Sequence, residues 1–204
     1  WGSTLSLAYA EEHPERVTEL VLRGIFLLRK REIEWFYQDG CSWIWPDAFE
    51  AYQSAIPPDE RSDMVRAYYA RLTHPDRDVQ LAAARAWSIW EGTTLSLHPD
   101  EERIRHFGSD SYAIAFARIE CHYFINGGFL ERDGQLLENA GRLSSVPGVI
   151  VHGRYDVVTP LRNAWDLKKA WPRADLKIVG DAGHAMTEPG IIHELVSATR
   201  RFAP

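Results

Sequence analysis

The chain has 204 residues, enough for one large domain or two small ones with a sizeable core. Apolar residues make up 45% and charged residues 25%, which argues against a disordered chain. The balance of 23 basic and 29 acidic residues, net −6, argues against a nucleic-acid binder that relies on general electrostatics.

No apolar run approaches the ~20 residues of a membrane span, and no signal peptide opens the chain. Cys41 and Cys121 form neither a disulfide framework nor a metal motif. A soluble cytoplasmic protein is expected, acting on neither nucleic acid nor membrane.

In chain order, residues 3–12 read as a helix that opens on small hydroxyl residues and stops at His13-Pro14. Residues 17–23 (VTELVLR) read as a buried strand ended by Gly24. From Leu27 to about Arg142 the patterns are helical, with candidates at 29–38, 47–55, 58–72, 76–91 and 111–125, and this stretch holds five of the eight tryptophans. Residues 149–152 (VIVH) read as a strand, 163–170 as a helix, 175–179 (DLKIV) as a strand and 191–202 as a closing amphipathic helix.

Both ends therefore alternate helix and strand, the pattern of an α/β fold with a parallel sheet, and an all-helical block interrupts it as a cap. The expected division is a partial core at 1–24 and 143–204 around a cap at 25–142. Three strands are few for a parallel sheet covered on both faces, so the chain reads as the carboxyl-terminal part of a larger protein.

Sites in parallel sheets form at the carboxyl ends of strands. Asp156 follows the strand 149–152, and His184 follows the strand 175–179 on a glycine-flanked loop. An aspartate accepting from a histidine ring N–H fixes its tautomer and stabilises the imidazolium. Such a pair needs a nucleophile. In α/β-hydrolases the order is nucleophile, acid, base, with the nucleophile in G-x-S-x-G between a strand and a helix. Trp1-Gly2-Ser3 matches the residues that come after that serine, which would stand just before Trp1. Ser3 itself falls inside the first helical turn and reads as a helix N-terminal residue.

Glu91 precedes Gly92, where the helix is expected to end, and shares a face with Ala84 and Trp87; Glu120 has Phe116 and Phe124 four residues to either side. Each is an acid on a face otherwise suited to burial. A structural ion pair with Arg85, Arg118 or Arg23 and a binding role both remain open. Phe26 reads either as core or as a pocket wall. His152 reads as structural, and Arg29-Lys30-Arg31, followed by Glu32 and Glu34, as a solvated face.

Trp1-Gly-Ser-Thr-Leu5, Val21-Leu-Arg-Gly-Ile-Phe26, Trp87-Ser-Ile-Trp-Glu91-Gly, Phe116-Ala-Arg-Ile-Glu120-Cys-His-Tyr-Phe124, His152-Gly-Arg-Tyr-Asp156 and Gly183-His184 closely resemble the bacterial proline iminopeptidase (prolyl aminopeptidase) family of α/β-hydrolases. The resemblance covers essentially the whole chain. It implies a serine exopeptidase that releases amino-terminal proline from peptides by acyl transfer, with no metal or cofactor. Asp156 and His184 would complete the triad, the backbone N–H of Trp1 would serve the oxyanion, Glu91 and Glu120 would hold the prolyl nitrogen, and Phe26 would wall the ring. Some members have a cysteine where this chain has Thr159, and some a second tyrosine where it has Phe36. With its nucleophile outside it, the chain alone is expected to be nearly inactive, a loss on the order of 10⁶ in turnover. An esterase or epoxide hydrolase with a similar lid, or an inactive interaction fragment, are the alternatives.

Overall fold

The computed structural model describes residues 1–203. Apolar runs form three parallel strands, β1 (Leu20–Arg23), β2 (Gly148–Gly153) and β3 (Ala174–Val179), in the order β1-β2-β3. Leu20 lies opposite Gly148, and Gly148 opposite Ala174. Every residue of β2 is buried, as a central strand covered on both faces requires. In β3, Asp175 and Lys177 are exposed.

Helix α1 (Gly2–Glu12) precedes β1. Helices α2 (Lys30–Tyr37), α3 (Pro46–Ser54), α4 (Met64–Leu72), α5 (Arg77–Thr94), α6 (Glu101–Phe107) and α7 (Asp110–Ile125) separate β1 from β2. Three more, α8 (Gln135–Asn139), α9 (Leu161–Ala170) and α10 (Pro189–Arg201), flank β2 and β3 in sequence.

The chain divides into two units, Trp1–Arg29 with Glu131–Pro204, and Lys30–Leu130. In the sheet unit, α10 opens with Pro189, whose fixed φ suits a first helical position. It brings Ile191, Leu195 and Ala198 onto Val149, Val151 and Val179. A fully buried side chain such as Ile191 or Val151 stabilises by ~1.5–3 kcal/mol. Residues 131–142, expected in the helical block, belong instead to the sheet unit, because Leu136, Ala140 and Leu143 are buried where α8 and the following turn meet α1 and α9.

Arg29 also departs from the expected solvated face. It is buried, and its guanidinium donates to Asn163 Oδ1 at 3.0 Å and Asp166 Oδ2 at 3.2 Å. Glu32 is buried as well, while Lys30 and Arg31 are exposed. Near both junctions a non-glycine residue takes the left-handed region, Leu28 at φ 57° and Phe129 at φ 59°, a conformation that costs on the order of 1–3 kcal/mol for such residues.

The helical unit is built around aromatic rings. Trp87, Trp90, Tyr52 and Tyr68 are fully buried. Tyr52 and Tyr68 stack at 4.7 Å, and the Tyr68 hydroxyl donates to the Tyr52 carbonyl at 2.6 Å. Trp43, by contrast, is 82% exposed.

Two helix limits differ from the sequence expectation. The helix expected from Pro58 begins at Met64, because the Asp63 side chain accepts from the Arg66 N–H and caps it there. The helix expected to stop at Glu91 continues through Gly92 to Thr94. Phe107 of α6, a helix absent from the sequence reading, lies over Gly92, where a Cβ would come within 3.0 Å of its ring. Gly92 thus marks a close helix approach and not a stop.

Candidate active site

β2 and β3 lead into the loops that carry Asp156 and His184. Asp156 follows β2 and His184 follows β3, and His184 Nδ1 lies 2.8 Å from Asp156 Oδ2. The Asp156 side chain is 1% exposed and that of His184 is 14% exposed, so the acid is sealed while part of the imidazole is reachable.

Several contacts fix the loop that carries His184. Arg23 at the end of β1 donates to the His184 carbonyl. The Gly183 N–H donates to Glu188 Oε2 at 2.8 Å. Gly24, at φ +55°, ends β1 beside the ring; a Cβ there would come within 2.8 Å of His184 Cε1, so a side chain would collide with it.

Burial by itself would push the Asp156 carboxyl up. His184, His152 and the Thr159 N–H outweigh that and hold it below the usual aspartate value. Its Oδ1 accepts from the Thr159 N–H at 2.8 Å, and its Oδ2 from the Thr159 hydroxyl at 3.0 Å. An ionised Asp156 requires a proton on His184 Nδ1, which leaves the Nε2 lone pair as the basic site.

His152 is fully buried. Its Nδ1 accepts from the Ile25 N–H at 3.2 Å, so its Nε2 carries the proton and donates to the Thr159 carbonyl at 2.7 Å. Burial lowers its pKa and keeps it neutral. It is a structural histidine, 3.3 Å from Asp156 Oδ2.

Trp1 caps α1, and its ring meets Phe26 edge-on at 5.7 Å. Phe26 is half-buried, and its backbone is tied to the first turn of α1: its N–H donates to Ser3 Oγ at 3.1 Å and its carbonyl accepts from the Thr4 hydroxyl at 2.7 Å. The Ser3 hydroxyl donates to the Gly24 carbonyl at 3.0 Å. Ser3 is therefore occupied in joining α1 to the end of β1, in keeping with its reading as a helix N-terminal residue.

In the helical unit, Glu91 on α5 and Glu120 on α7 are both buried, at 4% and 9% exposure. Their carboxyls meet around the same phenol. The Tyr37 hydroxyl at the end of α2 donates to Glu91 Oε1 and lies 3.5 Å from Glu120 Oε2, which also accepts from Trp87 Nε1 at 3.0 Å. Tyr37 and Trp87 stack at 4.3 Å.

Burial and the adjoining Glu120 push the Glu91 carboxyl well above its usual value. Two carboxyls this close cannot both ionise readily, so their arrangement favours a proton held between them. Of the arginines considered as partners, Arg85 pairs with Asp110 on the surface and Arg23 lies against His184 in the sheet unit. Sequence reasoning missed Tyr37, which lies 54 residues from Glu91 and 83 from Glu120. It also missed what the Thr159 hydroxyl does. Among the described residues, no cluster of three or more His, Cys, Asp or Glu side chains could hold a metal ion, and no helix is long and apolar enough to cross a membrane.

A parallel sheet with an aspartate and a histidine after successive strands, interrupted by a helical insertion, defines a hydrolase architecture. Residues 1–190 match the alpha/beta hydrolase fold family, and the chain belongs to it. Among curated proteins it is 59% identical over 202 residues to a probable proline iminopeptidase of Leptolyngbya boryana, covering 99% of this chain and 63% of that one. It is 59% identical to a proline iminopeptidase of Xylella fastidiosa (99% and 64% covered) and 54% identical to one of Arabidopsis thaliana (99% and 53% covered). The chain thus spans less than two thirds of the length of these relatives. Among solved structures, an alpha/beta fold family hydrolase from Bacillus anthracis aligns with TM-score 0.58 at 16% identity, over 98% of this chain and 63% of that one, a likeness of fold.

Proposed function

We propose that the full-length protein is a serine aminopeptidase that releases proline from the amino terminus of peptides by acyl transfer. The observation that carries this reading is the buried Glu91–Glu120 pair joined by Tyr37. One shared negative charge beside aromatic rings suits one cationic imino terminus next to an apolar ring. The 54–59% identity to proteins named proline iminopeptidase supports it.

In the reaction, His184 Nε2 takes the proton of a serine hydroxyl, and the serine oxygen attacks the prolyl carbonyl. The serine is the residue preceding Trp1 in the full-length protein. The imidazolium, held by Asp156, then protonates the leaving amine, and water repeats the sequence to free proline. The Trp1 N–H donates to the oxyanion of each tetrahedral intermediate. Glu91 and Glu120 hold the prolyl nitrogen, and Phe26 packs on the proline ring. No metal or cofactor takes part. The buried, unbridged Cys41 and Cys121 suit a reducing, cytoplasmic setting.

The test is to give the full-length protein a prolyl chromogenic amide and its N-acetylated counterpart. Release from the form with a free secondary amine, with the blocked form at least about 10-fold slower, is expected for one lost charged hydrogen bond. Equal rates on both, or turnover of simple esters only, would replace the aminopeptidase with a generic hydrolase.

A further inference from the structure

Every polar group of Thr159 serves the acid loop. Its N–H donates to Asp156 Oδ1 at 2.8 Å, and its hydroxyl donates to Asp156 Oδ2 at 3.0 Å. Its carbonyl accepts from His152 Nε2 at 2.7 Å, and His152 is anchored in turn by the Ile25 N–H. Thr159 is itself only 6% exposed, so this arrangement has little freedom to rearrange.

Two donors from one residue, one on each carboxylate oxygen, oppose rotation of the carboxylate about Cβ–Cγ. The hydroxyl oxygen also lies 3.2 Å from His184 Nδ1, close enough to share the Nδ1–H with Oδ2. We infer that Thr159 is a positioning residue: its hydroxyl aims Asp156 Oδ2 at His184 and takes a second share of the ring proton, so that the imidazolium is better held.

This rests on the acid–base roles given to Asp156 and His184 and is independent of the substrate. A threonine, serine or other hydroxyl side chain can fill the role. An isosteric valine keeps the N–H and the carbonyl and removes the hydroxyl alone. Both effects of that loss act in one direction: the carboxylate is freer to turn away, and Nδ1–H loses a lone pair, so the protonated ring is less stabilised. The other charged and titratable groups around the pair are Arg23 from β1, His152 from β2 and Glu188 at the start of α10, and valine leaves all of them in place.

The experiment compares the full-length wild-type protein with Thr159→Val and Thr159→Ser, each checked for folding by its thermal transition. Two readouts are taken: the low-field proton resonance of His184 Nδ1–H, and the pH profile of kcat on a prolyl chromogenic amide, or on a phenyl ester if the amide is not turned over. Thr159→Val is expected to move the resonance upfield, shift the acid limb of kcat to lower pH and reduce kcat roughly 10-fold with KM unchanged, the low end for one hydrogen bond to a charged group. Thr159→Ser is expected to return all three towards wild type. A valine variant with the wild-type resonance and acid limb overturns the inference, as does a serine variant no closer to wild type than valine. The resonance reads out even if prolyl cleavage fails, so the two proposals fail separately.

Discussion

Asp156 in the sheet unit and Glu91 in the helical unit are both buried carboxyls, at 4% exposure each, yet their acidities are driven in opposite directions. Asp156 is kept below its usual value by an imidazole and by hydrogen bonds from Thr159, whereas Glu91 is driven well above it by desolvation and by a second carboxyl. Removal from water penalises both anions alike. What differs is the set of neighbours: donors and a histidine around one, an acid and a single phenol around the other. A buried acid is an anion only where the fold aims enough protons at it.

The strongest way to break that comparison is to change the aspartate. Asp156→Asn in the full-length protein keeps the shape but loses the acceptor that selects the His184 tautomer. It is expected to lower kcat by about 10⁴, measured at saturating prolyl amide. A loss under ten-fold would mean that the sealed charge does not serve the imidazole.

The glutamates sharpen it next. Glu91→Gln and Glu120→Gln should each reduce kcat/KM for a free prolyl amide by about 10- to 100-fold, the range for one hydrogen bond to a charged group. Both should leave the hydrolysis of a small ester lacking an amine within about two-fold. Steady-state kinetics on both substrates separate a binding role from a purely structural one.

The smallest effect is on stability. A carboxyl whose folded pKa is raised contributes stability that is complete below the unfolded value, near 4.5, and is lost as the pH rises through the folded value. The neutral amide of Glu91→Gln removes this dependence. Its melting temperature relative to wild type should therefore climb between pH 4.5 and neutrality, by ~2–4 °C for each kcal/mol relieved. Asp156, with a depressed value, carries the opposite slope: its contribution is lost only as the pH falls below about 3.8. A pH-independent difference for Glu91→Gln would show that Glu91 is already ionised in the fold.

The Asp156–His184 pairing was legible because a parallel sheet marks such positions plainly, as a polar residue in a glycine-bearing turn after an apolar run. The two glutamates were legible as acids among aromatic residues at helical spacing. Tyr37 was not, because no local pattern distinguishes a phenol that stacks in a core from one that joins two carboxyls brought in from other helices. Gly92 misled, since the same residue that ends helices also lets two of them touch, and only Phe107 tells which. Arg29 misled in a similar way: a basic triplet reads as surface, and the partners that bury its first member, Asn163 and Asp166, lie more than 130 residues away.

The register that sets Leu20 against Gly148 has a temporal consequence. On the ribosome, β1 emerges long before the strand it needs, and the whole of 30–130 is made in between. Helix-rich segments close mostly local contacts and fold early, while a pairing across such a span must wait for the later residues and bear their loop-closure entropy. The helical block thus has its partners in hand during synthesis, and the loops of Asp156 and His184 come together only as the last quarter of these residues leaves the exit tunnel.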